Sequence, residues 1–288
     1  MLQFLINGLI TGVLYSLLAI GFALVYNTTK VFHIAASAVY VVAAYMLYTF
    51  ASVLGMPLPL AGLLSVIVTM FVNWGTEVVI YRPLKRRKAS LNVMMIASIG
   101  LMTILVNVIA MFYGNETKVI CNTIQRTFTF GELIITTPQM CQLVIGSAVL
   151  ILFMLVLAFS RYGLRLRALS ADETLFETLG YNTNGTRSGV FVLSGAFIAL
   201  ASCLTVYDVG LDPHMGMNVL INAMVAMIIG GVGRFGTCVL GGVLLGVLQA
   251  VVVYLFASNW QNAITFVGLI LFLFFRPQGI AGYKQRTV

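Results

Sequence analysis

Few residues of this 288-residue chain have side chains suited to acid–base or nucleophilic chemistry. It contains two histidines, His33 and His214, and eight acidic residues. Such catalysis needs a nucleophile, a base and an orienting group within hydrogen-bond reach, and these positions supply no such set. The four cysteines form no Cys-x-x-Cys or Cys/His cluster, so no metal site is predicted either. We therefore do not expect this chain to be an enzyme.

One segment matches the G-x-G-x-x-G pattern of dinucleotide-binding turns, from Gly231 to Gly236. That function requires a preceding β-strand and an acidic residue about 20 positions later. Here the preceding run is apolar and long, and no Asp or Glu occurs after Asp212. No P-loop pattern occurs anywhere. The sequence therefore predicts that this chain binds no cofactor itself.

Polar residues inside the apolar segments are the remaining candidates for function, because polar groups in a bilayer usually face a pathway or a partner. Together with three glycines that permit a kinked backbone, the candidates for a translocation path are His33, Ser37, Asn73, Glu77, Asn107, Asn222, Gly230, Gly231 and Gly233. Asn73 and Glu77 are four residues apart and share one helix face. Two structural alternatives remain: Glu77 pairs with Arg82 or Lys85, and His33 is an interfacial histidine.

Two pairs of glycines are typical of close helix packing. Gly8 and Gly12, and likewise Gly242 and Gly246, are separated by three residues in apolar segments. This small-residue spacing allows two helix backbones to approach closely. We predict that all four glycines lie at helix contacts.

The longest polar stretch runs from Arg161 to Arg187 and predicts a short amphipathic helix. Ser170 and Glu173 have the spacing of a capping box, and Asp172 adds negative charge to the first turn. Leu175, Phe176 and Leu179 are expected on one face. Gly180 is placed to end the helix in the left-handed conformation, and Asn182 to Gly185 are expected to form a turn.

The elements around these residues are membrane helices. Sixty per cent of the residues are hydrophobic and only 8% are charged, far below the roughly 25% of soluble domains. Runs of about 20 apolar residues predict spans at 4–26, 31–53, 60–81, 91–113, 141–160, 188–209 and 238–256. Two shorter segments are expected at 218–230 and 263–275. The prediction is an all-α polytopic membrane protein with about 8–9 segments, some short or broken, forming one domain over 1–288 that includes the loop 161–187.

The basic residues predict the orientation. All 16 except Lys118 and Arg126 fall in loops or termini that share one side, which the positive-inside rule makes the cytoplasm. The C-terminus is then cytoplasmic, whereas the side of the N-terminus stays open. The same clustering argues against nucleic-acid binding despite a net charge of +8. Cys121 and Cys141 flank the predicted outer loop, either bonded or free.

The sequence resembles the permease subunits of bacterial branched-chain amino-acid ABC importers. The resemblance extends over almost the whole chain. Its motifs are Asn7-Gly8 with Gly12 and Tyr15; Tyr81-Arg82-Pro83; Ser160-Arg161-Tyr-Gly163; Ala171-Asp-Glu173 with Leu179-Gly180; Gly230-Gly231-x-Gly233 with Gly241-Gly242; and Arg276-Pro277-x-Gly279-Ile280. Each motif is modest, and their shared order and spacing are specific.

The resemblance implies an inner-membrane permease that translocates branched-chain or related amino acids. Its partners would be a second related permease or a second copy of itself, two cytoplasmic ATPases that hold ATP and Mg²⁺, and a periplasmic or lipid-anchored solute-binding protein. The ATPase-coupling residues would be Ser170, Asp172, Glu173, Leu175, Phe176, Leu179 and Gly180.

The chain departs from the family pattern at two places. His33-Ile34-Ala35-Ala36-Ser37 stands where the family usually has Asn-Phe-Ala-His-Gly, and Arg234 replaces a small polar residue. The first change leaves urea or short amides as alternative solutes. A stand-alone secondary transporter or channel is the alternative of another class.

Overall fold

The computed structural model describes residues 2–120, 127–130, 133–255, 260–276 and 279–280. Within these ranges, seven helices are long and apolar enough to cross a membrane. In chain order, all α-helices of the described residues, including those too short to cross a membrane, are α1 Leu2–Thr29, α2 Ala36–Tyr48, α3 Leu58–Thr76, α4 Arg82–Arg86, α5 Leu91–Tyr113, α6 Thr137–Phe159, α7 Arg161–Ala171, α8 Glu173–Thr178, α9 Thr183–Val209, α10 Met215–Gly230, α11 Phe235–Leu255 and α12 Gln261–Phe275. The predicted all-α polytopic fold is confirmed.

Two π-helical turns interrupt or extend these helices, at Thr49–Val53 after α2 and at Glu77–Tyr81 after α3. A short antiparallel hairpin, β1 Thr127–Phe130 and β2 Leu133–Thr136, lies in the loop expected to be simply polar. The sequence pattern of a hairpin with four-residue strands is weak compared with that of a 20-residue apolar span. Cys121 lies outside the described residues, and so does the question whether Cys121 and Cys141 are bonded or free.

The two short segments are short in the structure as well. α10 has 16 residues and α12 has 15. At 1.5 Å per residue, each is about 22–24 Å long, less than the roughly 30 Å hydrocarbon core. The prediction of short segments is confirmed.

Two predicted boundaries were wrong by five residues. The span expected from residue 31 begins as a helix only at Ala36, because Lys30 has a left-handed φ of 57° that ends α1, and turns follow. The backbone N–H of Ala35 donates to Ser98 Oγ at 2.8 Å and stabilises this irregular segment. α9 begins at Thr183 rather than 188, since the side chain of Asn182 caps it by accepting from the N–H of Gly185 at 2.9 Å.

The chain forms two compact units. The first unit comprises Met1–Ala23, Thr123–Met154 and Ile221–Val288, and the second comprises Leu24–Asn122 and Leu155–Leu220. In the first, α1 packs on α11 and α12 packs on α11. In the second, the almost fully buried helix α2 packs against both α3 and α9.

The second unit has a well-packed apolar core around α2. Val41, Tyr45, Ile109, Val206 and Leu211 are all buried there. The close fit of α9 on α3 depends on Gly195, where a Cβ atom would lie 2.9 Å from Cβ of Asn73. This packing brings the polar residues of α3 next to those of α9.

Candidate functional site

The predicted capping box at Ser170 is wrong. Ser170 lies in the last turn of α7, and Asp172 is the N-cap of α8. Asp172 Oδ1 accepts from the N–H groups of Thr174 at 2.8 Å and Leu175 at 3.0 Å. A carboxylate at the N-cap satisfies two free donors and suits the helix dipole, so it replaces the serine in that role. The carboxylate of Glu173 is then available for ion pairs.

Leu175 and Phe176 of α8 and Leu179 at its C-cap do not share one exposed face. Leu175 and Leu179 are 59% and 65% exposed, whereas Phe176 is 2% exposed. The Phe176 ring stacks on Tyr181 with a centroid separation of 4.9 Å. Phe176 therefore fastens α8 to its own chain, and the two leucines remain available to a partner. The predicted left-handed end at Gly180 is confirmed, with φ of 81°.

The loop 161–187 is held to the second unit by polar contacts as well. Lys30 Nζ donates to the carbonyl oxygen of Ser170 at 3.4 Å, and partial burial lowers the pKa of Lys30. Arg165 lies over the Tyr181 ring, 5.5 Å from its centroid. Burial also raises the pKa of Tyr162, whose hydroxyl packs against Gly189 of α9. The loop is thus a docked element of this unit.

Glu77 pairs with Arg187, not with Arg82 or Lys85 as the structural alternative predicted. Glu77 Oε1 lies 3.2 Å from Arg187 Nε, and the side chains are 1% and 3% exposed. Arg82 instead donates from Nη2 to Ser188 Oγ at 2.6 Å, and Lys85 pairs with Glu173. The prediction failed because α3 and α9 meet across 110 positions of sequence, which local spacing does not reveal.

His33 is buried beside Asn73 and Tyr81. His33 Nε2 lies 3.0 Å from Asn73 Oδ1, and Nδ1 lies 2.8 Å from the Tyr81 hydroxyl. Asn73 donates its amide N–H to the carbonyl oxygen of Phe191 at 2.7 Å, so its oxygen faces the histidine. This arrangement suits a neutral imidazole that donates from Nε2 and accepts at Nδ1. His33 is therefore a buried histidine with a hydrogen-bond partner at each ring nitrogen.

The remaining path candidates are divided between the units. Ser37 is buried in the second unit, where its hydroxyl donates to the carbonyl oxygen of Ile34 at 2.8 Å. Asn107 is exposed on α5 and donates to the carbonyl oxygen of Thr103 at 2.8 Å. Asn222, Gly230, Gly231 and Gly233 all belong to the first unit. The structure therefore does not assemble the predicted candidates into one cluster within a unit.

Asn222 belongs to a buried network of neutral side chains that the sequence reasoning missed. Gln249 Nε2 donates to Asn222 Oδ1 at 3.1 Å and to Thr265 Oγ1 at 2.9 Å. Gln249 Oε1 accepts from the Tyr15 hydroxyl at 2.9 Å and from Gln261 Nε2 at 2.7 Å. Gln249 is the lone amide side chain in the apolar helix α11. Polar residues inside apolar segments are candidates for function, and this criterion, which selected Asn107, also selects Gln249.

The two glycine pairs pack against each other. A Cβ on Gly12 would lie 2.9 Å from Cα of Val243 and 3.3 Å from the oxygen of Gly242. One on Gly8 would lie 2.9 Å from the oxygen of Gly246. α1 and α11 are therefore in backbone contact, an approach that larger side chains would prevent. In the glycine-rich segment, Gly231 and Gly233 have φ of 104° and 100°.

Within the described ranges, no group of three or more His, Cys, Asp or Glu side chains is placed to hold a metal ion.

Comparison with known proteins identifies the family. A model of the permease component of branched-chain amino acid transport systems matches residues 4–274. The high-affinity branched-chain amino acid transport permease BraD of Pseudomonas aeruginosa is 32% identical, over 99% of this chain and 96% of that protein. LivH of Salmonella typhimurium, a permease of the same description, is 27% identical over the same shares.

A solved structure shares the fold. PsaBC from Streptococcus pneumoniae, in complex with a Fab, matches with a TM-score of 0.52 and 16% identity, over 96% of this chain and 93% of that one. The likeness in sequence is stronger and covers almost the full length. On that basis the chain belongs to the family of branched-chain amino acid transport permeases.

Proposed function

We propose that this chain is the membrane-spanning subunit of an ATP-driven importer for branched-chain amino acids in a bacterial inner membrane. It works with a second permease, either a related chain or a second copy of itself. Two cytoplasmic ATPases bind ATP and Mg²⁺, and an external solute-binding protein delivers the solute. Family membership and the substrate named for BraD and LivH support this assignment.

The observation that carries the proposal is an exposed apolar pair, Leu175 in α8 and Leu179 at its C-cap. Leu175 and Leu179 project from a short helix in a polar loop between two membrane-spanning helices. A helix that presents leucines four residues apart fits a hydrophobic groove on a partner. Buried Phe176 holds the helix against its own chain and the Asp172 cap stabilises the helix itself. A force on the leucines is therefore passed to the elements that contact Phe176.

In this mechanism the chain performs no chemistry. Closure of the ATPase pair shifts α8, and the permease pair alternates between outward and inward access. Amino-acid specificity resides largely in the solute-binding protein, with the permease supplying a passage. ATP hydrolysis resets the ATPases.

The partner assignment is tested with Leu175→Ser/Leu179→Ser in a complex co-expressed with both ATPases. We expect ATPase co-purification to fall by about tenfold or more, since two hydrophobic anchors of a small interface are lost. Glu177→Gln on the same helix is the matched control and should retain the ATPases. Normal co-purification in the double variant, with an unchanged melting temperature, would refute α8 as the contact.

The substrate is tested in proteoliposomes that contain the complete importer. Uptake of leucine, isoleucine or valine that requires ATP and the binding protein supports the proposal. ATP-dependent uptake of urea or acetamide instead would move the assignment to those solutes, as the altered residues 33–37 allow. Ion-driven uptake by the isolated permease would contradict the ABC assignment altogether.

The proposed topology places the basic residues of α4 and the C-terminus in the cytoplasm. In a variant without native cysteines, Arg87→Cys should react with an impermeant maleimide only after the membrane is opened. Labelling from outside in intact cells would reverse the orientation.

A further inference from the structure

The second unit contains a chain of charges that runs from α8 into the buried contact of α3 and α9. Arg187 Nη1 lies 3.8 Å from Glu173 Oε1, and Arg187 Nε lies 3.2 Å from Glu77 Oε1. The same oxygen of Glu173 also pairs with Lys85 Nζ. One guanidinium is therefore shared between a carboxylate on α8 and a buried carboxylate at the end of α3.

The four side chains balance in charge, but they differ in environment. Glu77 and Arg187 are almost fully buried, whereas Glu173 and Lys85 are about one-third exposed. Buried charges depend strongly on each neighbour, because little water is present to screen them. A shift of Glu173 away from Arg187 therefore acts on a buried ion pair that water screens little.

The buried pair is also incompletely bonded. Within the described part of the chain, Glu77 Oε2 and Arg187 Nη2 have no hydrogen-bond partner. A bidentate ion pair with all its polar atoms hydrogen-bonded would hold the two side chains in one geometry. The observed contact is monodentate and permits a second geometry. Glu77 is moreover the first residue of the π-helical turn Glu77–Tyr81, and such turns often mark functional positions in helices.

We propose that Glu173, Arg187 and Glu77 form a charge relay through which the position of α8 sets the conformation at the end of α3. When α8 moves, Glu173 changes its share of the Arg187 guanidinium. Arg187 then alters its contact with Glu77, and the π-helical turn responds. Glu77 and Arg187 are positioning residues, which act through Glu173. The inference rests on the proposed function, since it takes α8 as the helix that contacts the ATPases.

The relay is tested by comparing Glu77→Gln with the wild-type importer in proteoliposomes. Two quantities are measured: ATPase co-purification, and solute transported per ATP hydrolysed. We expect the ATPases to remain bound and transport per ATP to fall by about tenfold, a typical size for a lost coupling. Glu177→Gln, which changes the same charge on the exposed side of α8, is the control and should match wild type.

A double-mutant cycle separates a relay from two independent effects. Glu77 and Glu173 are joined in the structure through Arg187. In a relay, the double variant Glu77→Gln/Glu173→Gln transports as much solute per ATP as the poorer single variant. Either substitution alone already interrupts the series of charges. If Glu77→Gln fails to fold, the cycle is run with Glu77→Asp, which keeps the charge and shortens the reach.

Unchanged transport per ATP in Glu77→Gln would overturn the relay while leaving the proposed function intact. The relay would also be overturned if the fold-losses in transport per ATP of the two single variants multiplied in the double variant. Loss of ATPase binding in Glu77→Gln as large as in Leu175→Ser/Leu179→Ser would overturn it too, because residue 77 would then act on assembly. Failure of the wild-type chain to bind ATPases would instead refute the proposed function, and the relay with it.

Discussion

The two compact units hold their helices together with different polar chemistry. In the first, neutral amides and hydroxyls around Gln249 join α1, α10, α11 and α12. In the second, the buried charges of Glu77 and Arg187 join α3 to α9 and extend to α8. The neutral network lies among tightly packed glycines, and the charged one lies beside a π-helical turn.

The two networks also differ in how completely their polar atoms are hydrogen-bonded. Both oxygen lone pairs and both N–H groups of the Gln249 amide have partners, so its geometry is over-determined. The Glu77–Arg187 pair keeps unbonded atoms and shares a charge with an exposed helix. We infer that the neutral network resists movement and that the charged network transmits it.

The largest expected effect comes from breaking the charged pair. Arg187→Met leaves Glu77 buried without its counter-charge, which typically costs about 3–5 kcal/mol of unfolding free energy. Adding Glu77→Gln should restore part of the loss, since no unpaired charge remains. Denaturant unfolding in detergent measures both variants, and Arg86→Met on the exposed side of α4 is the control. A double variant as unstable as Arg187→Met alone would show that the stranded charge is not the cause.

The next effect concerns the glycine contact in the first unit. In Gly246→Leu the new side chain would enter the backbone of Gly8 and Gly12, so α1 and α11 must separate. We expect about 3 kcal/mol of destabilisation and a reduced yield of monodisperse protein. Gly100→Leu is the matched control, because a Cβ there has no atom within 4 Å. Equal melting temperatures of the two variants would contradict the close approach.

Much of the fold followed from the sequence because hydrocarbon thickness dictates span length. The predicted span 91–113 coincides with α5, and the two short segments are short helices. Errors occurred where a polar side chain decided a boundary. Asn182 begins α9 five residues earlier than its apolar run, and Asp172 displaces the expected cap at Ser170.

The candidate site was less predictable, because its defining contacts join distant positions. Glu77 and Asn73 were expected on one face from their spacing, and both are buried there. Their partners, Arg187 and His33, depend on how α9 and the segment before α2 pack on α3. The Phe176 ring likewise packs on Tyr181, which lies beyond the end of α8, where helical periodicity does not place it.

A moderate effect should follow from opening the neutral network. Gln249→Leu removes four hydrogen bonds, and Asn222 Oδ1 and Thr265 Oγ1 lose the donor that Gln249 supplied. We expect the free energy of unfolding to fall by about 2 kcal/mol. Thr265→Val, which removes one hydroxyl, should cost less. Both are measured by denaturant unfolding, with transport per ATP as a second readout. Because we infer that this network resists movement, transport per ATP should stay at the wild-type value. A fall like that of Glu77→Gln would contradict the inferred difference between the neutral and the charged network.

The smallest effect distinguishes the two possible caps of α8. Asp172→Ala removes the acceptor for two backbone N–H groups of α8 and should lower its local stability by about 1 kcal/mol. Ser170→Ala should have little effect, since Ser170 belongs to α7. Hydrogen exchange of residues 174–178 is the measurement, because it reports opening of this helix without global unfolding. Faster exchange in Ser170→Ala than in Asp172→Ala would restore the serine as the cap. It would also release Glu173 from its proposed ion pairs, because a capping box needs that carboxylate for the backbone of residue 170.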